Sequence, residues 1–265
     1  EGGELNGPAR SGRLLRELHG HMTARGLASL AFSPDGKNVV SRYNCSIRIW
    51  EVRSGRILSE CSILSRDRCS SYHYSVAISP DAKTIAEGFT DVRYQKDGAY
   101  RSDKTGDYTV RLWDAASGVL LRELKGHTES VGHLAFSPDS QQLATGSFDQ
   151  SVLLWDVKSG HLLGRISKHS CPINSTIAFS PDGARFASGS DDTKVRVWDP
   201  SSGRLVREFR GHGEQVFAVA FGANGSVLAS GSSDKSVRVW NATSGDVLHV
   251  LMGHEDTVMS IAFSP

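Results

Sequence analysis

The sequence predicts an all-β protein made of tandem copies of one small, four-stranded antiparallel sheet, and three observations predict it. Tryptophans fall at Trp50, Trp113, Trp155, Trp198 and Trp240, with gaps of 63, 42, 43 and 42 residues. Among the histidines in Gly-His or Lys-His pairs, four at His127, His169, His212 and His254 are spaced by 42, 43 and 42 residues, in phase with the tryptophans. One local sentence surrounds every tryptophan: SIRIWEVRSG, TVRLWDAASG, SVLLWDVKSG, KVRVWDPSSG and SVRVWNATSG. Two markers sharing one period of 20–50 residues indicate stacked structural repeats.

Within a unit the elements follow in order. LAFSPDS, IAFSPDG and VAFGANG each read as an inner strand running into a turn. LATGSFD, FASGSDD and LASGSSD are second strands that stop at an Asp turn. The alternation of β-branched and polar residues up to the tryptophan makes the third strand, and the Ser-Gly after it makes a tight turn. HLLGRIS, RLVREFR and DVLHVLM supply a fourth strand. Helix signals are almost missing from this pattern.

Composition limits the function classes. With 30 Lys and Arg against 29 Asp and Glu, the charge of +1 gives no broad attraction for nucleic acid or an acidic membrane. At 38% apolar residues the chain can bury a core, and no run approaches the roughly 18 apolar residues that cross a bilayer. Cys45, Cys61, Cys69 and Cys171 form no CxxC pair, so they are expected to be reduced thiols in a cytoplasmic or nuclear protein. The sequons at Asn44, Asn174, Asn224 and Asn241 are read as chance matches. No phosphate loop, HExxH or dinucleotide fingerprint occurs, and neither a metal, a cofactor nor an enzyme activity is expected.

The Gly-His pair, the Ser-Pro-Asp-Gly turn, the Ser-Gly-Ser-x-Asp turn and the Trp-Asp end together resemble the WD-repeat (WD40) β-propeller family, from about Ser11 to Pro265. The resemblance implies blades of four antiparallel strands around an axis, with residues 1–10 an N-terminal extension and 11–265 a segment of a six- or seven-bladed ring. By its phase, RLLRELHGH at 13–21 supplies an outer strand, five full units follow, and 256–265 supplies an inner strand, so the ring is incomplete and the chain reads as part of a longer protein.

The resemblance also implies a hydrogen-bonded chain inside each blade. Its members are His127, Thr145, Asp149 and Trp155, then His169, Ser188, Asp192 and Trp198, then His212, Ser230, Asp234 and Trp240. The same residue types make hydrolytic triads, but a catalytic set is needed once, whereas this one recurs beside a tryptophan at fixed spacing. A structural role is therefore expected. In the first unit Asn44 and Val40 stand at the Asp and hydroxyl positions; in the second, Leu64 stands at the His position while Asp107 keeps its place. Those two blades are expected to lean on apolar packing.

Function is expected at the end carrying the His-bearing loops, as binding of protein or peptide partners by a non-catalytic scaffold. The resemblance to WD repeats implies which positions reach this rim; mapped by register they are Tyr72 and Tyr74, Ser130 and Gly132, Ile173 and Ser175, Gln215 and Phe217, and Thr257 and Met259, with Tyr43, Phe148, Asp191 and Ser233 before the turn Asp. The aromatic and Met-rich members suit a hot-spot surface. An insertion at 89–106 is read either as a solvated loop or as a source of Arg93, Tyr94, Tyr100 and Arg101 for a partner site. With Arg25 and Arg42 those arginines would accept an acidic or phosphorylated segment, though solvated cations are the simpler reading. A regulatory module of a larger signalling or transcriptional-repressor protein, and more remotely a hydrolase on a propeller, are the alternatives.

Overall fold

In the computed structural model the residues described are 29–33, 36–43, 46–62, 75–88, 92–94, 100–102, 108–166, 169–173 and 176–263. They form five four-stranded antiparallel sheets and a separate hairpin, with no helix. Blade one comprises β1 (Ser29–Phe32), β2 (Asn38–Tyr43), β3 (Ser46–Glu51) and β4 (Ile57–Ser62). Blade two comprises β5 (Ser75–Ile78), β6 (Thr84–Gly88), β9 (Val110–Asp114) and β10 (Leu120–Leu124), with the hairpin β7 (Val92–Tyr94) and β8 (Tyr100–Ser102) set between its second and third strands. Blade three is β11 (Val131–Phe136), β12 (Gln142–Ser147), β13 (Val152–Asp156) and β14 (Leu162–Ile166). Blade four is β15 (Ile177–Phe179), β16 (Phe186–Gly189), β17 (Val195–Trp198) and β18 (Leu205–Phe209). Blade five is β19 (Val216–Phe221), β20 (Val227–Ser232), β21 (Val237–Asn241) and β22 (Val247–Leu251). Each is a meander with strands in sequence order.

A single four-stranded sheet of this size cannot bury both faces alone, so each blade packs on the next. Val152, Leu154 and Ile166 of blade three meet Ile177, Phe186 and Trp198 of blade four. Blades one and two, two and three, and four and five repeat this arrangement. The second-strand glycines are sites of close approach. A Cβ on Gly146 would stand 2.9 Å from Ile177 Cδ1, and one on Gly231 would stand 2.6 Å from Val258 Cγ1.

The turns at the end away from the histidines close on serine and aspartate. Ser137 Oγ donates to Asp139 at 2.5 Å and accepts from Gln142 N at 2.8 Å, and Ser180 repeats this with Asp182 and Arg185. At the sharpest point Gly183 has φ +71°, a left-handed conformation that glycine adopts at little cost.

Two expectations are corrected. The segment 256–265 was expected to be an inner strand; through residue 263 it is irregular, held by Val258 N donating to Ser232 O at 3.1 Å, because no second strand lies beside it among the described residues. The insertion is not a plain loop: it pairs Val92 with Ser102, Arg93 with Arg101 and Tyr94 with Tyr100. No strand pairing among the described residues joins blade five to blade one, so the ring is not closed by backbone hydrogen bonds.

Candidate functional site

The polar chain inside the blades is the first arrangement with chemistry in it. In blade three the Trp155 indole donates to Thr145 Oγ1 at 3.0 Å, His127 Nε2 lies 2.7 Å from the same oxygen, and His127 Nδ1 lies 2.9 Å from Asp149 Oδ2. A carboxylate only accepts, so Nδ1 carries the proton and Nε2 accepts from the threonine hydroxyl. Blade five repeats the geometry with Trp240, Ser230, His212 and Asp234 at 2.8, 2.7 and 2.8 Å. Burial alone would raise the Asp149 carboxyl; the hydrogen bonds from His127, Ser151 and Thr128 N outweigh it and hold the group well below the usual carboxylate range. Asp234 is likewise held low by Ser236, Gly213 N and His212 against its burial. For His212, burial lowers the pKa, and Asp234 only partly offsets this.

Blade four departs from the pattern. Trp198 and His169 Nε2 both reach Ser188 Oγ at 2.8 Å, but His169 Nδ1 is 3.6 Å from Asp192, too far for a hydrogen bond. Arg196 stands between them, with Nη1 donating to His169 Nδ1 at 2.6 Å and to Asp192 Oδ2 at 2.7 Å, and the same guanidinium meets Glu208 at 2.9 Å. Since arginine cannot accept, His169 Nδ1 is the acceptor and Nε2 carries the proton, the opposite tautomer to blades three and five. Burial and the positive charge of Arg196 keep His169 low despite Asp192. In blade three the corresponding third-strand residue is Leu153, and the nearest cation is Arg165 on the fourth strand, 3.8 Å from Asp149.

The early blades differ from the sequence reading in one register. Val40 was placed at the hydroxyl position of blade one, but it is buried against Ile49; Ser41 takes the role, accepting from the Trp50 indole at 2.5 Å. The strand-two to strand-three connection is one residue shorter there, so the partner lies nine residues before the tryptophan instead of ten. In blade two the Trp113 indole donates to Glu87 Oε2 at 3.1 Å, and Glu87 is fully buried. Sequence reasoning missed Glu87, although its place before Gly88 matches that of Thr145 before Gly146. Asn44, Leu64 and Asp107 lie outside the described residues.

In blades three, four and five these groups are withdrawn from solvent: His127, His169 and His212 are all buried. The solvent-facing candidate is the rim above them. Phe148 N donates to Ser130 O at 3.0 Å, Asp191 N to Pro172 O at 3.3 Å and Ser233 N to Gln215 O at 3.0 Å. The same backbone bond thus fixes the residue before the turn Asp in three successive blades. Phe148 and Phe217 are half-buried, Gln215 is exposed and Met259 is 61% exposed. Two rim positions are corrected, since Ser130 and Ile173 are buried: Ile173 Cγ2 fills the space over Gly146. Tyr72, Tyr74 and Ser175 lie outside the described residues, as does Arg25. Tyr43, Arg93, Tyr94, Tyr100 and Arg101 are placed by their strands only.

Repeated blades, a Trp–hydroxyl–His chain and a Trp-Asp turn in successive units decide the family. A model of the WD domain, G-beta repeat, matches residues 12–51, 118–156, 160–199 and 203–241, over half of the chain. The chain belongs to the WD-repeat family. WD-repeat proteins commonly serve as protein-interaction scaffolds and are in general non-catalytic. Among curated relatives, an uncharacterized WD repeat-containing protein, sll1491 of Synechocystis, is 30% identical over 120 residues, which cover 45% of this chain and 29% of that protein. Protein groucho of Drosophila melanogaster is 26% identical over 121 residues, covering 45% of this chain and 14% of its own length. The anaphase-promoting complex subunit cdc20 of Dictyostelium discoideum is 42% identical over 48 residues, 18% of this chain and 10% of its own length. The chain spans less than a third of these relatives. No helix among the described residues is long and apolar enough to cross a membrane.

Proposed function

We propose that this WD-repeat chain is a non-catalytic scaffold that binds protein or peptide partners across the rim carrying Phe148, Gln215, Phe217 and Met259, extended by Tyr43, Tyr72 and Tyr74 and by the Arg93, Tyr94, Tyr100 and Arg101 hairpin. The observation that carries the reading is the repeated rim bond, from Phe148, Asp191 and Ser233 to Ser130, Pro172 and Gln215, the segment leading into the inner strand of blades three, four and five. It presents side chains from three blades on a preformed surface, so docking loses little conformational entropy. Aromatic and methionine side chains held this way supply anchor area. The buried polar quartets belong to the scaffold, not to a reaction. We assign residues 11–265 to the propeller and 1–10 to an extension, and place the protein inside the cell, in cytoplasm or nucleus.

The double variant Phe217→Ala/Met259→Ala should lose partners captured from native lysate while its Tm stays within about 2 °C of the parent, since surface changes of this kind move stability little. Retention of every partner by that variant would sink the reading. A second reading, a regulatory module within a larger protein, is favoured by groucho and cdc20, in which the matched repeats are 14% and 10% of the length.

A further inference from the structure

We propose that Asp191 is the anchor for a lysine or arginine side chain of the polypeptide that docks on this rim. The inference rests on the rim reading above and narrows it to a cationic partner segment. Asp191 Oδ1 is buried and makes no hydrogen bond. Buried carboxylate oxygens are normally paired, and one left over calls for a reason.

The fold itself does not use the carboxylate. Asp192, the next residue, performs the turn's work, accepting from Lys194 N at 3.2 Å, Ser170 N at 3.2 Å and Arg196 at 2.7 Å. Arg196, the buried cation of this blade, is divided among Asp192, His169 and Glu208. The neighbouring blades carry Phe148 and Ser233 at the same register, so the turn closes without a charge there. Burial first, and the nearby Asp192 second, push the Asp191 carboxyl above its ordinary value, and an incoming cation would relieve both.

The surroundings fit a long side chain with a charged head. Val216 N donates to Ser190 O at 3.1 Å, which sets the Asp191 turn beside the start of β19, where Phe217 is the second residue. On the preceding blade a Cβ on Gly132 would stand 3.5 Å from Phe148 Cε2 and 3.8 Å from Ile173 O, so that ring lies on the inner strand of blade three, facing blade four. The half-buried Phe148 ring, next to the Pro172–Ile173 segment that holds the Asp191 backbone, offers apolar surface for the aliphatic stem of a lysine or arginine whose head turns to the carboxylate. Ser130 Oγ, at the foot of Phe148, is a second buried oxygen with no partner on the same rim. A metal ion is the less suitable occupant, because no group of three or more His, Cys, Asp or Glu among the described residues is placed to hold one.

The test uses the full chain and four immobilised pools of acetylated, amidated heptapeptides, randomised except for a central lysine, arginine, glutamine or glutamate. The lysine or arginine pool should retain the protein at least about tenfold better than the glutamine pool, with the excess falling as salt is raised. Asp191→Asn should bring retention down to the glutamine level, whereas Asp246→Asn, the same charge change on a turn at the opposite end, should leave it unchanged. Retention of the cation preference by Asp191→Asn, preference for the glutamate pool, or no preference among pools would each overturn the proposal. Loss of captured partners in Phe217→Ala/Met259→Ala together with any of these outcomes removes the cation site and leaves the rim reading standing. Partners retained by that double variant remove the rim reading itself.

Discussion

At the residue scale, the hydroxyl of Thr145 serves two neighbours at once, accepting from Trp155 and donating to His127. Thr145→Val keeps the shape and strands both ring nitrogens in a dry interior. The expected cost is about 2–4 kcal/mol, read as a lower urea midpoint at unchanged m-value. The aspartates and histidines of these chains also fix a pH dependence. His169 and His212 have pKa values below their ordinary 6.5, so the unfolded chain takes up protons before the folded one does, and stability falls as pH drops below 6.5. Asp149, Asp192 and Asp234 lie below 3.8, so their contribution is present above that pH and is lost as acidification continues. Urea midpoints measured from pH 8 to pH 3 should fall in two stages, and His212→Gln should flatten the first of them.

At the scale of the element, the second strand of blades two and three ends where the inner strand of the next blade crosses it, and Gly88 and Gly146 make that crossing possible. Gly146→Ala would drive a methyl group into Ile177 and Ile173. Overpacking of this kind costs about 1–3 kcal/mol, visible in thermal denaturation, and Ile177→Val should recover part of it by removing the opposing Cδ1. The hairpin β7–β8 shows a different economy of form: blade two keeps β6 paired with β9 through Ile85 with Trp113 and Ala86 with Leu112, although a second hairpin interrupts the connection. A scaffold pinned by its neighbours on both faces tolerates a long insertion at a turn.

At the scale of the whole molecule, the last residue of the outer strand separates the inner blades from the open ends. Leu124, Ile166 and Phe209 are buried by the following blade, with Phe209 2% exposed, while Leu251 at the same register is 53% exposed. Leu30 and Phe32 of blade one, at 55% and 65%, stand opposite Ser41 and Val39 as the buried Leu134 and Phe136 of blade three stand opposite Thr145 and Leu143. Identical register with different burial makes a direct comparison. Phe209→Ala should cost about 3–5 kcal/mol, as large core truncations do, whereas Leu251→Ala should cost under about 1 kcal/mol. Chemical denaturation of the two variants checks it, and equal losses would mean that the blade-five face is covered in solution.

The amino-acid sequence by itself determined the repeat and the strand order, because both rest on short-range patterns: alternation along a strand, a Ser-Gly turn, a tryptophan at a fixed period; the members of the polar chains came from the resemblance to WD repeats. Where spacing shifted by one residue, as between Trp50 and Ser41, or where a carboxylate replaced a hydroxyl, as at Glu87, the pattern misled or stayed silent. The tertiary structure alone decided how the blades use these residues. Arg196 separates His169 from Asp192 and inverts the imidazole tautomer, Ile173 turns inward instead of joining the rim, and the carboxylate of Asp191 is left without a partner. Each of these depends on which atoms of distant or adjacent strands fill a given volume, and burial, proton position and unmet hydrogen-bonding capacity are properties of that volume and not of the residue type.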